Sequence, residues 1–365
     1  MTDTISTKAR SSRLPGFYHL SPDERLSAVA DFSGLSLEEL DPLRNPEGLP
    51  KDVALCMSEN VVGRFSLPLG FATNFRVNGM DYVVPMVIEE PSVVAAASSA
   101  AKLLRSGDGL VAKATDSIMI GQIHFPDPPP APMLENILEE HSEDLGAFLD
   151  GNHPSLVAAG GGFRGARVRR LLDDDGRPLA VVHIHVDVAD AMGANAVNSM
   201  AEEAAPLLAR WTGARVGLRI LSNLPIHRRV EVEGRVPLFE EKGKGGLSFL
   251  EGERIAEASR FAEADPYRAV TANKGVMNGI DAVLLATGQD FRAVEAAAHA
   301  FAAKDGRYTA LVRWRVEDQF LVGRTDIPLA LGTVGGITGV HPMVRATFKV
   351  LGIKSARILA EVVAA

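Results

Sequence analysis

The stretch Arg268 to Asp290, RAVTANKGVMNGIDAVLLATGQD, decides how the rest of the chain is read. Lys274 stands between Asn273 and Gly275, so its ammonium can approach a ligand past small neighbours. Asn278, four residues on, shares a face with it if the segment is a helix. Asp290 heads DFRAVEAAAHAF and reads as the N-cap of the next helix. A lysine fixed by a carboxylate and an amide can stabilise a developing oxyanion. The same residues suit a structural Lys–Asp pair between two packed helices, and on their own they leave both roles open.

Working outward, Ser21-Pro22-Asp23-Glu24 is a capping box with proline at the first helical position, and Ser36 to Glu39 repeats the pattern for a second helix. Asn78-Gly79 between FATNFRV and MDYVVPMVI predicts a hairpin whose second strand delivers Glu89 and Glu90. The run SVVAAASSAAKLLR then predicts a helix, with one of the paired glutamates or Ser92 as its cap and Glu90 at a strand-to-helix junction, where side chains often reach a cleft. Between about Ala114 and Asn223 the pattern becomes that of a smaller unit. It has a strand SIMIGQIHF, a helix MLENILEEHSEDLGAFL, a hairpin across Asp175-Gly176, a helix capped by Asp190, and a strand RVGLRILSN. Mixed strands and helices around hairpins predict an α+β fold. Residues 1–113 and 224–365 would form a large mixed domain, and 114–223 an inserted antiparallel-sheet domain.

With 46% hydrophobic and 23% charged residues, the chain has an ordinary globular composition. A net charge of −8 without a long basic cluster argues against a nucleic-acid partner. The RVRR run at Arg167 to Arg170 reads as the polar face of a strand, although a basic patch could suit a phosphorylated cofactor. Cys56 is the only cysteine, which excludes an internal disulfide and thiolate metal clusters and fits a reducing cytoplasm. No apolar run of membrane-spanning length and no secretory signal are present, so no membrane partner is expected.

Three patterns invite over-reading. Gly160, Gly162 and Gly165 satisfy GxGxxG, but the motif runs into the strand ARVRRLL instead of a helix, so it is not a dinucleotide fingerprint. KGKGG at Lys242 to Gly246 lacks the GK[ST] ending of a phosphate loop. His183 and His185 share a strand face but have no third ligand nearby, so no metal is expected.

Five segments together resemble the soluble bacterial class II 3-hydroxy-3-methylglutaryl-coenzyme A reductases: NKGVMNGID with ATGQD, ENVVG at Glu59 to Gly63, EEPSVVAAAS at Glu89 to Ser98, DAMGANAVNSMAE at Asp190 to Glu202, and GTVGGITGVHP at Gly332 to Pro342. The likeness runs from about Arg13 to the end of the chain. It implies a ferredoxin-like small domain that is not a Rossmann fold. It also implies interconversion of 3-hydroxy-3-methylglutaryl-CoA and mevalonate plus CoA by two hydride transfers.

The resemblance assigns oxyanion stabilisation to Lys274 and proton donation to Glu90. Asp290 would hold the lysine charged and tie Glu90 into one network, with Asn278 bridging. Arg268 and Ser92 would bind the substrate's free carboxylate. Asp190, Met192, Gly193, Ala194, Asn195 and Asn223 would bind the nicotinamide dinucleotide at a helix N-terminus. NADH is expected over NADPH, with the ribose carboxylate either displaced to Asp150 or lost, because His153 occupies the position where NADH-preferring relatives carry an acid. A homodimer, which can assemble further into a hexamer, is implied by the family, with ENVVG near the interface. The family also carries a thiolate-protonating histidine on a C-terminal flap; His341 is no substitute, and the expectation is a longer intact protein. The alternatives are another NAD(P)-dependent acyl-CoA or hydroxy-acid oxidoreductase, or a CoA- or nucleotide-binding protein without turnover.

Overall fold

The computed structural model describes residues 10–45, 48–240 and 245–365. Its strands are β1 (Leu69–Val77), β2 (Met80–Val87), β3 (Leu110–Ala114), β4 (Ile118–Phe125), β5 (Gly162–Leu172), β6 (Pro178–Asp187), β7 (Arg219–Ser222), β8 (Arg229–Phe239), β9 (Leu247–Ser248), β10 (Val312–Glu317) and β11 (Phe320–Pro328). Asn78 and Gly79 both have positive φ, 49° and 78°, as a two-residue hairpin between twisted strands requires. That turn pairs β1 with β2, and β10–β11 forms a second hairpin.

The large sheet runs β10-β11-β8-β3-β1-β2, with β9 beside β8. Its core joins Val84, Met86, Val232 and Leu321 to Met277, Ile280 and Leu284 of the helix Pro266–Ala286, and to Leu359 and Val363 of the helix Ala356–Ala364. Each such side chain contributes roughly 1.5–3 kcal/mol by leaving water. The central helix is therefore fixed against the sheet through one stripe.

The smaller sheet has order β5-β6-β4-β7 and is antiparallel throughout. Taken with the intervening helices, the chain order β-α-β-β-α-β and this pairing are those of a ferredoxin-like unit. Along β6, Ala180, Val182, Ile184 and Val186 are buried while His183 and His185 face the other side, the period-two alternation of a half-covered strand. No helix among the described residues is long and apolar enough to cross a membrane.

Some local expectations need correction. The Ser36–Glu39 box forms its reciprocal hydrogen bonds, but only a four-residue helix, Asp41–Arg44, follows, ended where Asn45 turns to an extended conformation. The helix expected over 133–149 is two helices, Met133–Glu140 and Ser142–Asn152, broken at His141. A helix at Lys51–Met57 was not read from the sequence. Gly162 and Gly165 lie in β5, as the reading of the GxGxxG motif required. Residues 242–244 of the KGKGG reading lie outside the described residues.

Candidate active site

Asp265 starts the central helix by accepting hydrogen bonds from the backbone N–H groups of Tyr267 (3.3 Å) and Arg268 (3.2 Å), with Pro266 at the first position. Asn273 is fully buried and faces the sheet side, donating to the Thr309 carbonyl (3.0 Å) and accepting from Leu311 N–H (2.8 Å). It anchors the helix rather than opening space beside Lys274. That leaves Lys274 and Asn278 on the outer face, one turn apart.

Lys274 Nζ donates to Glu90 Oε2, closing an ion pair between residues 184 apart in sequence. Glu90 lies in the turn between β2 and the helix Val93–Leu104. Ser92 is the N-cap residue of that helix but adopts φ 73°, ψ −15°, and neither it nor Glu89 makes a side-chain cap bond, contrary to the capping expectation. A left-handed serine carries a strain of order 1–3 kcal/mol. Its hydroxyl is left for another partner.

Asp290 caps the helix Phe291–Ala302 through Ala293 N–H (3.1 Å) and pairs with Arg292 (3.4 Å). The sequence reading joined it to Lys274 and Glu90, and within one chain it does not reach them. Gln289 N–H bonds the Leu284 carbonyl (2.8 Å), so Asp290 sits beside a residue about ten positions and ~15 Å further along the helix than Lys274. Asn278 likewise bridges no pair of these groups. Arg268 lies six residues, about one and two-thirds turns, before Lys274 and is half-buried.

The second group of residues surrounds the helix Ala194–Thr212. Its N-cap is Gly193 (φ 96°), not Asp190, and no side chain caps it. A Cβ at Gly193 would strike Val188, so the left-handed turn admits glycine alone. The Asp190 carboxylate instead accepts from Ala356 N–H (2.8 Å), and its carbonyl accepts from Thr333 N–H (2.9 Å). Ala191 pairs with Val334 in an isolated parallel bridge. The loop before the helix is thus bound to the glycine-rich segment of the large unit. Asn223 is exposed just beyond β7, whose Leu221 N–H donates to Asn198 of the same helix (2.8 Å).

Three buried or half-buried residues here escaped the sequence reading: Asn198, Arg228 and Gln289. Arg228 is 5% exposed and Gln289 bonds both polar groups of Gly332. Sequence carried no signal for Arg228 beyond a repeated arginine in HRRVEV. His341 is the N-cap residue of the helix Pro342–Leu351, and burial lowers its pKa. His183 bonds Gln122 (3.0 Å) and is lowered to about 4 by burial and neighbouring positive charge. No cluster of metal-binding side chains exists among the described residues.

The sequence profile of hydroxymethylglutaryl-coenzyme A reductase matches residues 21–365. The chain belongs to that family. It is 47% identical over 361 residues to the 3-hydroxy-3-methylglutaryl-coenzyme A reductase of Archaeoglobus fulgidus, covering 98% of this chain and 80% of the relative. It is 32% identical over 350 residues to the probable reductase of Borreliella burgdorferi, covering 93% and 76%. Its structure superposes on a class II reductase of Streptococcus pneumoniae, solved bound to NADPH in open conformations, with a TM-score of 0.91, 40% identity, and coverage of 96% and 95%. The chain is accordingly a hydroxymethylglutaryl-CoA reductase by family, an NAD(P)-dependent oxidoreductase, and its small sheet is not a Rossmann fold.

Proposed function

We propose that the chain interconverts 3-hydroxy-3-methylglutaryl-CoA and mevalonate plus CoA, with Lys274 and Glu90 at the reacting carbonyl. The observation that carries this is the contact of these two side chains on an open face of the central helix. Two dinucleotide molecules, bound in succession, would each supply or accept one hydride. Lys274 stabilises the oxyanion that forms when the thioester carbonyl is reduced, and Glu90, hydrogen-bonded to it, delivers and retrieves the proton at that oxygen. Arg268 holds the free carboxylate of the substrate and the unpaired Ser92 hydroxyl adds a hydrogen bond.

The residues from Asp190 to Asn195, with Asn223, would bind the dinucleotide. They fit an anion: the helix N-terminus lacks a side-chain cap and is built from Gly193 and Ala194. NADH is the preferred form in this reading. One oxygen of Asp150 accepts from Phe163 N–H (2.7 Å), which leaves the other for a ribose hydroxyl. A kcat/KM ratio favouring NADPH would reverse that preference.

A second copy of the chain completes the site. In one chain the catalytic pair is half-exposed, Lys274 at 58% and Glu90 at 43%, whereas its electrostatics act strongly only with water excluded. Large apolar side chains stand in solvent on the same helix, at Tyr267 and Val270, and at Val62 of the ENVVG segment and Phe65 just after it. A partner would cover this face and bring its Asp290 to the pair. The protein works in the reducing cytoplasm, consistent with a free Cys56. Steady-state assay of both directions, with each nicotinamide, tests the reading. Absence of thioester reduction and of mevalonate oxidation would leave a CoA-binding protein.

A further inference from the structure

Arg228 is an unusual residue for the role its neighbourhood gives it. The guanidinium is buried beneath the loop that precedes the helix Ala194–Thr212, and burial lowers its pKa to about 10 against the pull of Asp187 and Asp190, so it is charged at neutral pH. One of its nitrogens donates to the carbonyls of both Ala191 and Met192 (3.1 Å each), and another to the Leu331 carbonyl. Among the described residues no carboxylate pairs with it directly, so its donors are committed to orienting backbone.

A peptide unit is planar and trans, with C=O and N–H pointing in opposite directions. Pinning the Ala191 and Met192 carbonyls on the arginine side therefore turns the N–H groups of Met192 and Gly193 to the other side. Neither N–H has a backbone acceptor among the described residues, and the first three N–H groups of the helix have none within it. Consecutive N–H groups facing one way form an anion cradle. Gly332 closes against the Met192 N–H, where any Cβ would collide. Gln289 holds Gly332 in place by donating to its carbonyl and accepting from its N–H, 2.9 Å each.

We propose that Arg228 is a positioning residue for the nicotinamide dinucleotide, aiming the N–H groups of Met192 to Ala194 at its diphosphate, and that Gln289 sets the register of this loop through Gly332. This rests on the reading of Asp190 to Asn195 as the dinucleotide site. Because Gln289 is the residue before Asp290, the cradle and the catalytic carboxylate are held by consecutive side chains.

The test is Arg228→Lys, which keeps the charge but not the planar fork, and Gln289→Glu, which keeps the volume but loses the donor. Binding of NADH and NADPH alone is titrated by cofactor fluorescence, and KM is measured for dinucleotide and thioester separately. Dinucleotide Kd and KM should rise about tenfold or more, while the thioester KM stays within about twofold, the split that loss of one oriented set of charge-assisted bonds gives. Unaltered dinucleotide binding in the folded variants, or an equal rise in both KM values, overturns the proposal. If Arg228→Lys fails to fold, Gln289→Glu alone decides it. Asn195→Asp separates the two levels. It places a negative charge at the exposed first turn and should abolish dinucleotide binding. Normal binding there removes the site assignment itself, whereas lost binding there with normal binding in Arg228→Lys removes only the positioning role.

Discussion

At the scale of single residues, the proposed chemistry rests on one cation and one strained serine. Lys274→Ala removes the charge aimed at the oxyanion while leaving the apolar stripe of its helix untouched. Turnover should fall by roughly a hundredfold or more with the melting temperature nearly unchanged; near-normal turnover in a folded variant would refute the role. Ser92 makes the opposite kind of prediction. Its left-handed backbone favours glycine, so Ser92→Gly should stabilise the fold by about 1 kcal/mol in a denaturant titration. The same change deletes the unpaired hydroxyl, so the thioester KM should rise. A gain in stability without any change in KM would mean that the serine is merely tolerated there.

At the scale of elements, local signals were legible and long-range ones were not. Asn78-Gly79 fixed a hairpin because the turn's φ requirement is written into two adjacent residues. The antiparallel α+β character of the small unit was legible from its hairpins for the same reason, whereas its ferredoxin-like order came only through the family resemblance. The helix start at Gly193 was misread as an Asp190 cap, since an aspartate before small residues looks like a cap until the positive φ is known. The Lys274–Glu90 contact spans two elements and was reachable only through family resemblance. Arg228 was invisible, because nothing local distinguishes it from its half-exposed neighbour Arg229.

Between elements, Asp281 of the central helix meets Glu295 of the helix Phe291–Ala302. Burial and the second carboxylate raise it to about 7, and one of its oxygens is buried without a hydrogen-bond partner. The folded pair holds a proton that the unfolded chain has released above the ordinary aspartate value, so stability falls as pH rises towards 7 and the cost is complete above it. Asp281→Asn should therefore raise the melting temperature at pH 8 more than at pH 5. An equal effect at both pH values would show that the pair does not share a proton.

At the scale of the whole molecule, the proposed division of the site between two copies makes a genetic style of prediction. Lys274→Ala and Asp290→Ala should each be inactive alone. Mixed after dissociation, they form heterodimers in which one site carries both defects and the other neither, recovering up to about a quarter of normal activity if half of the dimers are mixed. No recovery on mixing, with heterodimers verified, would place both residues in the same chain's site.

The ends of the inserted unit have a further consequence. Ala114 at the end of β3 pairs with Val230 near the start of β8, and Thr115 and Arg229 exchange hydrogen bonds through Thr115 Oγ1 (2.8 Å) and the Arg229 carbonyl (2.9 Å). Topologically, everything between them is one enlarged hairpin turn. The entropy of closing a loop grows only with the logarithm of its length, so the large sheet scarcely registers how much chain is threaded through that point. Replacing residues 116–228 with a short Asn-Gly turn should leave a cooperatively melting remnant that keeps Lys274 and Glu90 adjacent but has lost its means of redox chemistry. Reductases and plain thioester binders would then be separated by the size of a single turn.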